Sequence, residues 1–237
     1  MTPNLTLGGG VDGSLAKSSY GLDNCANCFY TSTGGSIGSN NPGYNPYGGG
    51  FSPITNGDPS QIRLSYADGP LSFAIAVEDG NNGYYNYNSA FGVAGKIGYA
   101  ADSFAVDVEG GYWGNSDTAY YGPENAWSVS AGAKFGMGMF SIGGAVGLAS
   151  GFGNTDDTTK ANILLTANLS DSIYAEGGVS HTWNTQAATT SGDSTTFEAG
   201  LYYQPVNKLT IGVEGSYTTY GSGYNSHVVD LVSVWAF

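Results

Sequence analysis

The sequence predicts an all-β chain, an antiparallel transmembrane β-barrel of about twelve strands, on three observations. Apolar residues alternate with small or polar ones from Ser60 to the end, the period of a strand whose two faces meet different surroundings. The charges within these runs all fall on one parity. Short turns also alternate with long polar links along the chain, the asymmetry of an outer-membrane barrel, whose short turns lie on the periplasmic side.

Composition sets the bounds. The chain has 237 residues, with 6 basic against 19 acidic side chains, a formal net charge of −13 and 39 glycines. Such an acidic chain is a poor partner for nucleic acid. Only 11% of residues are charged while 41% are hydrophobic, a balance unlike that of an ordinary soluble enzyme. No run approaches the roughly 18–20 apolar residues of a membrane-spanning helix, and the mean hydropathy is −0.15. Spanning strands escape that test, because lipid-facing and water-facing residues alternate and average out. The chain opens Met1-Thr2-Pro3-Asn4-Leu5 without the basic and apolar regions of an export signal. The expectation is either a mature chain with an added methionine or the C-terminal part of a longer one.

Strands are expected at Ser60–Ala67, Leu71–Glu78, Phe91–Ala100, Phe104–Trp113, Trp127–Phe135, Met139–Ala149, Ala161–Leu169, Ile173–Trp183, Phe197–Tyr203, Leu209–Thr219 and His227–Phe237, with a weaker one at Asn4–Ser14. Asp68-Gly69-Pro70, Ala101-Asp102-Ser103, Gly136-Met137-Gly138, Ser170-Asp171-Ser172 and Gln204–Lys208 read as tight turns. Asp79–Ala90, Gly114–Ala126, Ser150–Lys160, Asn184–Thr196 and Tyr220–Ser226 read as solvated loops. The link from Leu15 to Pro59 is much longer. It is expected to fold into the lumen of a single barrel domain spanning residues 1–237.

Parity then assigns the faces. The outward set runs through Ile62, Phe73, Ile75, Val93, Ile97, Val108, Val129, Ile142, Val146, Ile163, Leu165, Leu201, Val213, Val229 and Leu231, and carries no charge. The inward set carries Asp12, Arg63, Glu78, Lys96, Asp107, Glu109, Lys134, Glu176, Glu198, Glu214 and Asp230, with Lys160 at the mouth. A soluble β-sandwich would alternate as well, burying the apolar set. Aromatic placement separates the two, since Trp and Tyr settle at membrane interfaces. Tyr66, Phe73, Tyr99, Phe104, Phe135 and Phe140 lie outward near the turn rim, and Phe91, Tyr112, Trp127, Trp183, Phe197 and Tyr217 near the loop rim.

The final strand, HVVDLVSVWAF, ends in Phe237 with Trp235, Leu231 and Val229 on its outward parity, interrupted by Ser233. It resembles the C-terminal strand by which outer-membrane proteins are recognised for assembly. With QIRLSYADGPLSFAIAVED at Gln61–Asp79 and the strands that follow, residues 58–237 resemble the general porins of alphaproteobacteria such as Brucella and the rhizobia. That family is similar to the trimeric, 16-stranded porins. The resemblance therefore implies a homotrimer in the bacterial outer membrane, in contact with its lipid and lipopolysaccharide. It also implies that residues 15–59 stand where such porins carry the loop that narrows the pore, so that the chain holds the last twelve of sixteen strands. A complete twelve-stranded barrel is the other expectation.

The inward and loop acids outnumber the bases, and carboxylate-lined pores favour cations. The expected function is a water-filled channel for passive diffusion of small hydrophilic solutes and ions, with mild cation preference. The alternatives are a closed structural or adhesive barrel plugged by residues 15–59, and a secreted sandwich that binds sugars through its Tyr-rich loops. Cys25-Ala-Asn-Cys28 reads first as a disulfide in an oxidising compartment, then as a free pair, and last as half a metal site with no second pair to complete it. The histidines, His181 and His227, both take outward parity, and neither has a serine or acid at a recognisable motif spacing. Loop carboxylates such as Asp156-Asp157 lack the Gly-anchored ligand loop of a Ca²⁺ site. Gly8–Gly10 and Gly48–Gly50 lack the Lys and helix of a phosphate cradle. The expectation is therefore no enzyme, no cofactor and no metal.

Overall fold

The computed structural model describes residues 4–11, 14–16, 60–79, 91–114, 126–150, 158–187, 190–206 and 209–235. They form twelve strands: β1 Leu5–Val11, β2 Ser60–Asp68, β3 Leu71–Glu78, β4 Gly92–Ala100, β5 Phe104–Trp113, β6 Ala126–Met137, β7 Phe140–Ser150, β8 Thr158–Asn168, β9 Ile173–Ala187, β10 Thr190–Val206, β11 Leu209–Tyr220 and β12 Asn225–Trp235. Every neighbour in the chain is a neighbour in one antiparallel sheet, ordered β1 through β12. Among the described residues no helix is long and apolar enough to cross a membrane.

The turn chemistry explains the meander. Asp68 pairs with Leu71 and Met137 with Phe140, leaving two-residue turns at Gly69-Pro70 and Gly138-Met139. Gly69 and Gly138 take φ of 54° and 62°, the left-handed backbone that the first central position of a tight hairpin requires. Both turns belong to the expected short-turn rim.

The strands are also staggered. Starting at Leu5 beside that rim, the Cα partners run to Tyr66, Phe73, Ile97, Val108 and Ala131. They continue through Val146, Ala161, His181, Thr195 and Thr219 and end at Asn225, the loop-rim end of β12. A row perpendicular to the strands thus climbs from one rim to the other, the tilt and shear of a barrel wall. β1 and β12 are its two edges, and among the described residues no pairing closes them. β1 has seven residues, three of them the consecutive glycines Gly8–Gly10, so this edge presents few side chains to a neighbour.

The polarity of the two faces is inverted relative to a soluble protein. Ile62, Ile97 and Leu165 are 66%, 57% and 56% exposed, whereas Glu78, Asp107, Glu109 and Glu214 are 1–3% exposed. Among the described residues the apolar face is not interleaved with a second sheet, as a sandwich would require; the twelve strands form one sheet.

One expected loop is corrected. Asn184–Thr196 is largely strand: β9 runs on to Ala187 and β10 begins at Thr190, paired Thr190 to Ala187. The β-branched Thr195 and Thr196 of this segment favour extended backbone. An extension beyond the membrane also needs no apolar alternation, so the segment carries no two-faced signal. Its ladder shifts register between Gly192 and Ser194, a bulge at which two residues of β9, Trp183 and Asn184, stand against Asp193 of β10.

Candidate functional site

The polar face is the candidate site, and the sheet register fixes how its charges group. Lys96 and Glu109 are Cα partners on β4 and β5. The Lys96 ammonium lies 2.8 Å from Asp107 Oδ2, pairing the 2%-exposed carboxylate that sits one inward position along β5. The Ser130 hydroxyl donates to Glu109 Oε1 from β6. On β2, Arg63 Nε donates to Gln61 Oε1 at 3.0 Å. Lys134 lies on β6 and Lys160, buried, on β8. Bases therefore alternate along β2, β4, β6 and β8, interleaved with Glu78, Asp107 and Glu109.

The other third of the wall differs. No lysine or arginine lies on β9, β10, β11 or β12. Glu176 is partnered by Gly200, Gly200 by Glu214 and Glu214 by Asp230, so three acids occupy one row across four strands. Glu198 stands one inward position from Gly200. The Tyr202 hydroxyl donates to Glu214 Oε2 at 2.8 Å and the Thr166 hydroxyl to Glu176 Oε1 at 3.3 Å.

Three aromatic residues on this face were not picked out from the sequence. Tyr202 is 1% exposed and stacks on Tyr174 with ring centroids 4.8 Å apart. Its ring occupies the space that a Cβ on Gly200 or Gly212 would need. Trp113, 7% exposed, fills the space over Gly92 and Gly111 in the same way. The available signal was a glycine at inward parity on the strand beside an inward aromatic.

The structure also shows where the long link starts. The Ser14 hydroxyl donates to Glu78 Oε2 at 2.8 Å, the Leu15 amide donates to Glu78 Oε1 at 2.9 Å, and the Ala16 amide donates to Ser14 Oγ at 3.2 Å. Leu15 and Ala16 are buried against Ala76, Ala94, Trp113 and Ala149. Glu78 is thus a docking group for the chain as well as a charge on the wall.

Asp12, Cys25 and Cys28 lie outside the described residues, and only the register of Asp230 is described. Around His181, cross-strand pairing supplies neighbours that sequence spacing did not reveal. Its Nδ1 lies 2.7 Å from Thr195 Oγ1, its Nε2 lies 4.0 Å from Asp193 Oδ2, and its ring meets Trp183 edge-on at 4.3 Å. These groups occupy the apolar face at the loop rim and tie β9 to β10 beside the bulge.

The aromatic belts are present at both rims. Tyr66 and Phe73 stack at 5.0 Å near the turns. Tyr112 partners Trp127, and Phe197 partners Tyr217, near the loops.

No family model matches the chain, and no curated protein matches it. Solved structures do. The chain is similar to a porin refined at 1.8 Å, at 16% identity and a TM-score of 0.64, over 98% of this chain and 77% of that one. It is similar to the outer-membrane channel DcaP of Acinetobacter baumannii, at 10% identity and 0.58, over 99% and 72%. It is also similar to OmpT of Vibrio cholerae, at 14% identity and 0.59, over 98% and 76%. At such identities the likeness establishes the fold, that of bacterial outer-membrane β-barrels.

Proposed function

We propose that this chain forms the wall of a water-filled channel in a bacterial outer membrane, through which small hydrophilic solutes and ions diffuse passively with a mild preference for cations. The observation that carries the reading is the inverted sheet: one uncharged apolar face exposed between two aromatic belts, and one face holding the charges. Such a wall is stable where its outside is lipid and its inside is wet. Cation preference would come chiefly from β9–β12, strands that carry Glu176, Glu198, Glu214 and Asp230 and no lysine or arginine of their own. On the inward face of β2–β8 the bases Arg63, Lys96, Lys134 and Lys160 offset the acids Glu78, Asp107 and Glu109.

The likeness to outer-membrane channels supports this reading. The motifs at Gln61–Asp79 and His227–Phe237 support the alphaproteobacterial general-porin type, with a homotrimer and lipopolysaccharide as its partners. The docking of Ser14–Ala16 on Glu78 supports a path for residues 15–59 into the lumen of a single domain. A disulfide between Cys25 and Cys28 would stiffen that segment, and free-thiol titration tests it.

Planar-bilayer recording of the refolded protein tests the function. Stepwise currents with a cation-biased reversal potential are expected in a salt gradient. A folded but silent barrel would overturn the channel and favour the plugged one.

A further inference from the structure

We propose that the turn-rim end of β1–β4 carries a binding subsite for small neutral polyhydroxylated solutes of about hexose size. The inference deepens the channel reading and rests on it for access. A recess of about 320 Å³ opens there, at the small end of ligand pockets. Its lining includes the polar side chains of Asn4, Thr6, Ser65, Ser72 and Lys96, and Tyr66 and Phe73 also border it.

The space follows from the sequence. Thr6, Ser65, Ala74 and Lys96 are successive partners across β1–β4, and Ala67, Ser72 and Gly98 form the neighbouring row on the same face. Ala67, Ala74 and Gly98 are too small to fill the volume between Thr6 and Lys96. A Cβ on Gly98 would come within 2.9 Å of Ser72 Oγ and intrude on it.

The ligand class follows from the charges. Among the described residues, the side chains of Asn4, Thr6, Ser65 and Ser72 make no hydrogen bond within the protein. Hydroxyls and carboxamides both donate and accept, which matches a polyol better than a simple ion. Lys96 adds ammonium donors, but its charge is met by Asp107 at 2.8 Å, with Glu109 its Cα partner. An anion on Lys96 would face both carboxylates. A neutral hydroxyl takes the charge-assisted hydrogen bond without that repulsion.

The test uses D-glucose on the refolded protein, wild type against Ser65→Ala/Ser72→Ala and against Ala74→Leu, which fills the recess. Each variant is first checked for folding by heat-modifiable gel mobility. Saturation-transfer NMR in micelles reads binding, and single-channel current, normalised to each protein's own sugar-free value, reads occupancy. Glucose is expected to saturate at millimolar concentration and to reduce current more than a polyethylene glycol of equal size. The double alanine variant should weaken it about tenfold, as for two hydrogen bonds lost. Unchanged glucose binding in both variants, or a wild-type effect no larger than that of the glycol, would overturn the subsite. Saturable glucose binding by a protein that passes no current would support the subsite and remove the channel.

Discussion

Glu78 holds Ser14 on the polar face of the sheet: the serine hydroxyl reaches Oε2 at 2.8 Å while the next residue's amide reaches Oε1 at 2.9 Å. A carboxylate accepting two donors in a site 1% exposed is a strong local tether, because hydrogen bonds to a charged group contribute about 1.5–3 kcal/mol each. Glu78→Ala should release Ser14–Ala16 while the strands persist. The protection of the Leu15 amide against hydrogen exchange should fall by about tenfold or more, with the β3 and β4 amides unchanged. Equal protection in the variant would show that burial against Ala76 and Ala94, and not Glu78, holds the segment.

Lys96 and Asp107 form a pair whose members are unequally buried, at 22% and 2% exposure. Lys96→Met leaves a buried carboxylate beside Glu109 with its ammonium gone, and should destabilise by about 3 kcal/mol, the lower end for a broken buried pair. Lys96→Met/Asp107→Asn removes the stranded charge and should recover most of that loss. Urea unfolding in lipid vesicles measures both, and a double variant no more stable than the single one would contradict the pairing argument.

The acid row of β9–β12 makes a prediction about ions. Glu176→Gln/Glu198→Gln/Glu214→Gln should move the reversal potential in a salt gradient toward zero. In the wild type the preference should fade between 0.1 M and 1 M salt as the screening length shrinks from about 10 Å to about 3 Å. A cation preference that survives the triple substitution would place its origin elsewhere.

The faces can be told apart at adjacent residues. Leu165, 56% exposed on the apolar face, and Thr166, half-buried and bonded to Glu176, are neighbours on β8. Leu165→Arg should cost about 2 kcal/mol of stability in vesicles, as for a basic residue on a lipid face. Thr166→Arg should be near neutral, because it faces the Glu176 carboxylate. The reverse order would invert the assignment of the faces.

Tyr202 and Gly212 occupy one space between them. Gly212→Val should destabilise by about 1–3 kcal/mol through overpacking. In a Tyr202→Ala background the same substitution should cost much less. A double-mutant cycle in urea reads this coupling, and additive effects would mean that the ring does not depend on the glycine.

Most of the wall was legible in the sequence, since a strand between lipid and water must alternate and Ile62, Ile75 or Val93 advertises its face by parity alone. The β9–β10 extension was not, because threonine-rich strands beyond the membrane have no second environment to alternate against. The contacts of His181 with Thr195 and Asp193 were also hidden, since cross-strand partners are set by register and not by spacing along the chain.

The sequence alone determined the two-faced strands, their order and the parity of the charges, because each depends on local periodicity and turn chemistry. Only the tertiary structure decided which charges meet. It paired Lys96 with Asp107, aligned Glu176, Glu214 and Asp230 in one row, turned Glu78 toward Ser14 and set Tyr202 over two glycines. The physical reason is stagger: parity fixes the face a side chain takes, whereas its neighbours depend on the register accumulated across every hairpin of the sheet.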